Sequence, residues 1–333
     1  MTVRVGINGF GRIGRNFYRA LRSREADIEV VAVNDLGSPE VMAHLLRRDS
    51  VLGPAPWEIT ASDGGISIDG VLLPVLAQRD PAALPWGDLG VQVVVESTGF
   101  FTSRDKAAAH LTAGARRVVI SAPARDVDAT FVVGVNDDSF DPDNHRVVSN
   151  ASCTTNCFVP MVKVLDDAFG VVQGFMSTVH AYTGDQMLVD GPHGDLRRTR
   201  AAAVNIIPTS TGAARATGLV LDAMAGRLDG IALRVPVADG SLTDFTATLE
   251  RPAEVAEVNA AFEQAAASEP LAGVLEYSDE PLVSSDIVGS AASCVFDSGL
   301  TMAGGNLVKV CGWYDNEWGY SNRLVDLVAH IGG

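Results

Sequence analysis

The chain is short of cysteine and of positive charge, and both shortages exclude classes of protein. Its four cysteines, Cys153, Cys157, Cys294 and Cys311, form neither a C-x-x-C pair nor a zinc-ligand spacing, so we expect no metal site and no disulfide framework. Lys and Arg number 25 against 41 Asp and Glu, which gives a net charge of -16. Binding to nucleic acid needs cations clustered over a large face, so we expect no nucleic-acid partner.

Long apolar runs are also missing. No stretch approaches the ~18 consecutive apolar residues of a membrane span, and the start of the chain lacks an apolar core followed by a cleavage site. We therefore expect no membrane partner and a cytoplasmic location, where thiols stay reduced. The 333 residues, of which 47% are hydrophobic and 20% charged, are enough for two globular domains.

Short apolar runs alternate with amphipathic stretches in the first half of the sequence. Continuous runs of Val and Ile are typical of strands that a parallel sheet buries on both faces. The predicted strands are 3–7, 28–33, 91–95, 117–120 and 131–135, with predicted helices at 16–21 and 41–46. This alternation predicts an α/β domain with a doubly wound parallel sheet over residues 1–150.

The pattern changes from about Ser149 onwards. A predicted helix at 153–169 is followed by longer alternating strands at 175–182, 230–236 and 241–249, which favour antiparallel pairing. We predict a second, α+β domain over 151–315 with a mostly antiparallel sheet. The final segment has apolar residues at helical spacing, so a C-terminal helix at 316–333 is expected to complete the first domain.

A G-x-G-x-x-G sequence, formed by Gly9, Gly11 and Gly14, joins the first predicted strand to the first predicted helix. In a dinucleotide-binding turn these glycines allow the tight bend, the approach of the pyrophosphate and close packing of the helix. Asp35 follows the next strand, where an acid accepts hydrogen bonds from the ribose hydroxyls and repels the 2′-phosphate of NADP. The pattern predicts a Rossmann-type site for NAD. An ordinary tight turn, with Asp35 capping a loop, is the alternative.

Cys153 and His180 are the candidate nucleophile and base. Cys153 begins a predicted helix, whose macrodipole favours a thiolate, and Cys157 would lie one turn deeper. His180 lies at the end of the following strand, where it could reach Cys153. Each residue alone also suits a structural role, as a buried thiol or as a hydrogen-bonded histidine. Spacing does not decide between these interpretations.

Six segments together resemble one known family. They are GINGFGRIGR (6–15), SNASCTTNC (149–157), HAYT (180–183), AAAVNIIPTSTGAA (201–214), LRVP (233–236) and WYDNEWGYS (313–321). In this order, and across essentially the whole chain, they resemble glyceraldehyde-3-phosphate dehydrogenase. The resemblance implies a catalytic second domain, a homotetramer, and glycolytic oxidation of glyceraldehyde 3-phosphate to 1,3-bisphosphoglycerate with NAD and inorganic phosphate.

The same resemblance implies roles for individual residues. Cys153 would carry the hemithioacetal and then the thioester, and His180 would move the proton. The implied cofactor contacts, beyond the glycines and Asp35, are Arg12, Ile13, Arg79, Thr98, Ser121 and Asn316, of which Asn316 would fix the nicotinamide carboxamide. The implied substrate-phosphate contacts are Thr183 and Arg234, and the implied inorganic-phosphate contacts are Ser152, Thr154, Arg198, Thr211 and Gly212.

Two alternatives to this function stay open at the level of sequence. One is erythrose-4-phosphate dehydrogenase, which shares the cysteine and histidine but releases a free acid. The other is a catalytically retired protein that still binds NAD. The intact Cys153 and His180 count against the second alternative.

Overall fold

The computed structural model describes residues 2–333, and their contacts divide the chain into two compact units. The first unit comprises the chain up to Phe131, together with Asp137–Ala151 and Ser321–Gly333. The second comprises Val132–Asn136 and Ser152–Tyr320. The predicted domains, 1–150 with 316–333 and 151–315, stay a prediction. In the described part of the chain, no helix combines the length and the apolarity that are needed to cross a membrane.

The first unit is built on a mostly parallel sheet. Its strands are β1 (Val3–Asn8), β2 (Ile28–Asn34), β3 (Ile59–Ser62), β4 (Gly65–Ile68), β5 (Val71–Leu76), β6 (Val93–Glu96), β7 (Arg117–Ile120), β8 (Ala129–Thr130) and β9 (Val147–Ser149). Its helices are α1 (Arg12–Arg22), α2 (Pro39–Arg47), α3 (Arg104–Ala107) and α4 (Ala109–Thr112). The strand order is β3-β4-β5-β2-β1-β6-β7-β9-β8, in which only the β3-β4 and β4-β5 pairs are antiparallel. The predicted doubly wound α/β sheet is confirmed.

One predicted strand of this sheet is wrong. The apolar run 131–135 is not extended, because the strand ends at Thr130 and the chain then turns. Val135 N donates to Val132 O at 3.0 Å, and Gly134 has a φ of +81°, which belongs to a turn. The apolar side chains suit this turn because it is largely buried. An apolar run alone therefore does not distinguish a buried turn from a buried strand.

The second unit carries a mixed sheet covered by a long helix. Its strands are β10 (Val171–Ala181), β11 (Ile207–Ser210), β12 (Leu228–Val235), β13 (Ser241–Leu249), β14 (Leu275–Ser278), β15 (Cys294–Asp297), β16 (Met302–Gly304) and β17 (Leu307–Tyr314). Its helices are α5 (Cys153–Phe169), α6 (Ala213–Ala216), α7 (Val255–Ala266) and α8 (Ser284–Ile287), and α9 (Trp318–Gly332) follows. The strand order is β11-β12-β10-β13-β17-β15-β14, with β16 also paired to β17. The predicted helix at 153–169 and strand at 241–249 are confirmed at both ends.

Helix α5 sets the position of the residues at its start. Ser152 caps the helix by accepting a hydrogen bond from Thr155 N at 3.0 Å. Its inner face is fully buried, and the ring of Phe158 meets Phe245 edge to face at 4.8 Å. Burying one such aromatic side chain contributes about 1.5–3 kcal/mol. The packing therefore holds the first turn of α5 fixed against the sheet.

The last helix packs on the first unit from Ser321 onwards. Arg24 forms an ion pair with Asp326 and donates to Asn322, and Arg117 donates to the carbonyl of Ile331 at 2.8 Å. These contacts join residues that lie far apart in the sequence. The C-terminal segment is therefore part of the same unit as β1 and α1.

Candidate active site

A cavity of about 370 Å³ opens in the first unit where β1, β2, β5 and β6 end. Five of the predicted cofactor residues line it: Gly9, Gly11, Asp35, Arg79 and Thr98. Sequence reasoning missed the other lining residues, which are Asn8, Asn34, Leu36, Gln78, Ser97, Phe100 and Phe101. Because ligands of doubly wound sheets bind at the carboxyl ends of the strands, the strand-end positions of Asn8 and Asn34 could have indicated them. No sequence signal identifies the two phenylalanines.

The three glycines of the turn differ in what surrounds them. Gly9 has a φ of +93°, and a Cβ there would lie 2.6 Å from Thr98 N. A Cβ on Gly14 would lie 2.2 Å from the carbonyl oxygen of Gly9. A Cβ on Gly11 would have no atom of residues 2–333 within 4 Å. Gly9 and Gly14 are therefore required by the fold, whereas Gly11 leaves space beside the start of α1.

Asp35 both caps the glycine turn and faces the cavity. Its Oδ2 accepts a hydrogen bond from Phe10 N at 2.8 Å, and its Oδ1 accepts one from Gly37 N at 3.0 Å. The two interpretations of Asp35 that the sequence left open are thus compatible. Arg12 pairs with Asp49 at 2.6 Å on the first turn of α1.

The structure places the remaining predicted cofactor residues outside the cavity lining. Ile13 and Gly14 follow Arg12 on α1, Ser121 follows β7, and Asn316 belongs to the second unit. Their contacts with NAD stay predictions.

A buried hydrogen-bond network lies beneath the cavity. The carboxylate of Glu96 accepts from Asn8 Nδ2 at 2.6 Å and from Thr98 N at 2.8 Å, and it lies 3.0 Å from His110 Nε2. Trp86 Nε1 donates to His110 Nδ1 at 3.0 Å, so the ring proton is on Nε2 and points to Glu96. A buried carboxylate needs several donors, and these residues supply them. The network fixes Asn8 and Thr98, which both line the cavity.

In the second unit, the fold brings Cys153 and His180 together. Cys153 is the first residue of α5, a helix of 17 residues that extends ~25 Å at 1.5 Å per residue. Strand β10 then runs back, and ten residues of strand cover roughly 30 Å. His180, near the end of β10, therefore returns to the level where α5 begins. The Sγ of Cys153 lies 3.5 Å from Nε2 of His180.

The side chains of Cys153 and His180 are both held in their neutral forms. Burial raises the pKa of the Cys153 thiol to about 11, although Arg234 and the N–H and hydroxyl of Thr154 act in the opposite direction. Burial and the charge of Arg234 lower the pKa of His180 to about 3. The helix start favours a thiolate, but burial of the side chain opposes it and has the larger effect on the pKa of Cys153. The pair consists of a thiol facing a neutral imidazole.

The ring of His180 is fixed by contacts on its other side. Nδ1 lies 2.7 Å from the carbonyl oxygen of Ala181, and a proton donated there leaves Nε2 as an acceptor facing Cys153. Nη1 of Arg234 lies 2.8 Å from Nδ1 and donates to Ala181 O at 3.0 Å. Tyr314 meets the ring edge to face at 5.8 Å. The geometry suits transfer of the thiol proton to Nε2.

The two predicted substrate-phosphate residues are neighbours. Nη1 of Arg234 donates to Thr183 Oγ1 at 3.1 Å. The Thr183 hydroxyl donates to Asp185, and Arg198 forms an ion pair with the same carboxylate. Burial acts against ionisation of Asp185, but the Thr183 hydroxyl, Arg234 and Arg198 hold its pKa below its ordinary value. Asp185, which the sequence did not indicate, is the anion that these donors hold.

The predicted inorganic-phosphate residues lie at two helix starts. Ser152 precedes α5, and the hydroxyl of the buried Thr154 lies 2.8 Å from the hydroxyl of Tyr314. Thr211 and Gly212 precede α6, where Thr211 Oγ1 accepts from Ala213 N at 3.2 Å. The structure places Arg198 with Asp185 instead of with either start. A joint role of these residues stays a prediction.

An acidic residue that the sequence did not indicate lies close enough to Cys153 for its charge to act on the thiol. Asp239 is 3% exposed, and burial, reinforced by the negative charges of Asp315 and Glu317, raises its pKa to about 8. Its Oδ1 accepts from Gly240 N at 2.9 Å. Burial beside these acids therefore favours the protonated form of Asp239.

Comparison with known proteins agrees with this geometry over both units. Residues 3–104 match the NAD binding domain of glyceraldehyde 3-phosphate dehydrogenase, and residues 152–316 match its C-terminal domain. Proteins named glyceraldehyde-3-phosphate dehydrogenase from Streptomyces coelicolor and Mycobacterium avium are 59% and 61% identical to the chain, and each alignment covers 100% of the chain and 99% of the relative. The chain therefore belongs to the glyceraldehyde-3-phosphate dehydrogenase family.

Proposed function

We propose that this chain catalyses the NAD-dependent, phosphorylating oxidation of glyceraldehyde 3-phosphate to 1,3-bisphosphoglycerate in glycolysis. The observation that carries the proposal is the 3.5 Å contact between Cys153 Sγ and His180 Nε2 at the start of α5. A thiol that faces a neutral imidazole is equipped to add to an aldehyde. Membership of an oxidoreductase family with an NAD binding domain supports the rest.

The first step forms a bond between the sulfur of Cys153 and the aldehyde carbon. The thiol proton passes to Nε2 of His180, and the resulting imidazolium donates to the oxygen of the hemithioacetal. When the hydroxyl carbon loses hydride, the hydroxyl proton returns to His180 and the sulfur carries a thioester. Inorganic phosphate then attacks the thioester carbonyl, the bond to sulfur breaks, and the acyl phosphate leaves.

Two features of the first unit support NAD as the cofactor. Gly11 leaves open space in which a pyrophosphate would approach the backbone, and the carboxylate of Asp35 lines the cavity, where it would repel a 2′-phosphate. When bound, NAD supplies the acceptor for the hydride. In this proposal residues 1–150 with 316–333 bind NAD, and residues 151–315 carry the chemistry.

The phosphate groups of the two substrates are assigned to the donors of the second unit. Thr183 and Arg234 are proposed to bind the phosphate of the aldehyde substrate. Ser152, Thr154, Arg198, Thr211 and Gly212 are proposed for inorganic phosphate. Hydroxyl, backbone N–H and guanidinium groups are the donors that oxyanions prefer.

We also propose a homotetramer in the cytoplasm. The outer face of the second sheet exposes Phe175 by 76% and Leu307 by 55%, and such a face is typical of contacts between subunits. The cysteines of the described chain are free thiols, which agrees with a reducing compartment.

Phosphate dependence tests the proposal. The purified protein is mixed with NAD and glyceraldehyde 3-phosphate, and NADH is followed with and without added phosphate or arsenate. We expect NADH formation to rise strongly with phosphate. Phosphate-independent turnover with a preference for erythrose 4-phosphate would establish the first alternative. NAD binding without oxidation of either aldehyde would establish the retired protein.

A further inference from the structure

The side-chain amide of Asn316 is buried, and its NH2 group is unpaired within residues 2–333. Asn316 is 4% exposed, and its Oδ1 accepts a hydrogen bond from Ser241 Oγ at 2.7 Å. Its Nδ2 has no hydrogen-bond partner within residues 2–333. A buried donor without a partner is unfavourable, so this NH2 group is available for an acceptor from a ligand.

Ser241 determines which half of the amide is unpaired. The serine is fully buried, and its Oγ accepts from Ala181 N at 3.0 Å. The hydroxyl proton of Ser241 is donated to Oδ1 of Asn316. The hydrogen-bond network thus sets the amide with its oxygen towards Ser241 and leaves its NH2 group on the unpaired side.

The sheet explains why one serine can join these two residues. Ser241 is the first residue of β13, which lies between β10 and β17. Its partner in the register with β17 is Tyr314, two positions before Asn316. The other neighbour, Ala181, directly follows the base His180 on β10. A single hydroxyl therefore links the backbone beside His180 to the amide of Asn316.

We propose that Ser241 is a positioning residue that fixes the orientation of the Asn316 amide, so that Nδ2 donates to the carboxamide oxygen of the nicotinamide ring. The inference rests on the proposed function, because it takes NAD as the ligand of Asn316. A fixed donor selects the carbonyl end of the carboxamide, whereas a reversed amide would select its NH2 end. Since the carboxamide is attached to one edge of the ring, this selection determines which face of the ring meets the substrate.

Binding measurements on Ser241→Ala test the proposal. NAD and ADP-ribose, which lacks nicotinamide, are titrated into the variant by calorimetry. We expect NAD affinity to fall about tenfold and ADP-ribose affinity to stay at the wild-type value. Equal losses for both ligands would mean a general structural defect and would overturn the proposal, as would unchanged NAD affinity.

Thr243→Val is the matched control. Thr243 lies two positions along on the same strand, is fully buried, and its hydroxyl finds no partner in the described part of the chain. Removal of this hydroxyl should leave both affinities unchanged. In an Asn316→Ala background, Ser241→Ala should have no further effect on NAD affinity, because the two residues act through one contact. A full tenfold loss in that background would overturn the proposal.

A second measurement determines which face of the nicotinamide ring receives the hydride. With substrate deuterated at the aldehyde carbon, wild-type enzyme labels one face of NADH, and Ser241→Ala should raise the minor isomer several-fold in the NMR spectrum. An unchanged isomer ratio together with unchanged affinity contradicts the proposal. The titrations need no turnover, so a failure of the proposed reaction would appear separately, as a wild-type protein that forms no NADH.

Discussion

The two units of the chain build their sites by different means. In the first unit the cavity is shaped mainly by the backbone, at a turn where Gly9 and Gly14 have no room for a side chain. In the second unit, side chains from separate elements meet: Cys153 starts α5, His180 is the penultimate residue of β10, and Arg234 is the penultimate residue of β12. A backbone site depends on local sequence, whereas a side-chain site depends on the packing of the whole unit.

This difference predicts that binding and chemistry can be lost independently. Variants at Cys153 and His180 should abolish turnover and leave NAD binding unchanged, and variants at the glycine turn should weaken NAD binding and leave the reactivity of the Cys153 thiol unchanged. The following changes test the separation, from the largest expected effect to the smallest.

Cys153→Ser should have the largest effect. The hydroxyl is a far weaker nucleophile beside a neutral imidazole, so kcat should fall by about 10⁴-fold or more, while the Kd for NAD measured by calorimetry stays unchanged. Cys311→Ser, at another thiol of the same unit, is the control and should retain activity. Residual oxidation at a tenth of the wild-type rate would disprove the thioester mechanism.

His180→Asn should come next. Loss of the base that faces Cys153 should lower kcat by about 10²–10⁴-fold without a change in NAD affinity. Steady-state kinetics with saturating NAD and phosphate measure the effect. The exposed His44 provides the control, since His44→Asn should behave as wild type. Equal rates for both variants would remove His180 from the mechanism.

The glycines of the first unit offer a contrast between folding and binding. In Gly11→Ala the new methyl group has free space, so the free energy of unfolding should change by less than about 1 kcal/mol, while NAD affinity should fall about tenfold. In Gly14→Ala the methyl group meets the carbonyl of Gly9, so unfolding free energy should fall by about 1–3 kcal/mol. Denaturant unfolding and calorimetry measure the two effects. In both variants, the reactivity of Cys153 towards iodoacetamide should be unchanged.

Asp239 has no predicted effect on turnover or NAD binding, and its predicted effect is confined to the pH dependence of stability. With a pKa of about 8 in the folded chain, against an ordinary value near 3.8, the folded state keeps a proton that the unfolded state has lost between those pH values. Stability should therefore fall as pH rises from about 4 to 8. Asp239→Asn should flatten this slope and be more stable at pH 9 by on the order of 2 kcal/mol, as measured by urea unfolding. Asp279→Asn, at an exposed acid, should keep the wild-type slope.

The sequence predicts the backbone-built site of the first unit better than the side-chain site of the second. The glycine turn, Asp35 and helix α5 were predicted from local pattern, because strand, turn, cap and helix leave marks on neighbouring residues. The contact between Cys153 and His180 could be proposed but not decided, since it depends on β10 running back along α5. Asp185, Asp239 and Ser241 gave no signal, because a lone polar residue acquires its role only from the side chains that folding places around it.

The apolar run at 131–135 shows the opposite failure. It has the composition of a strand, yet the chain turns at Gly134. Its apolar residues reflect burial of the turn and not an extended backbone. Composition reports burial more reliably than it reports backbone conformation.

Asp185 is an anion of the chain itself that competes with dissolved anions for the donors of the second unit. Because its carboxylate already accepts from the Thr183 hydroxyl, a substrate phosphate that binds Thr183 enters by exchange with an anion of fixed, high effective concentration. We expect monoanions such as chloride and acetate to lose this exchange, and a dianionic phosphate ester to win it because it carries more charge. The proposed substrate site would thus remain closed to the abundant small anions of the cell.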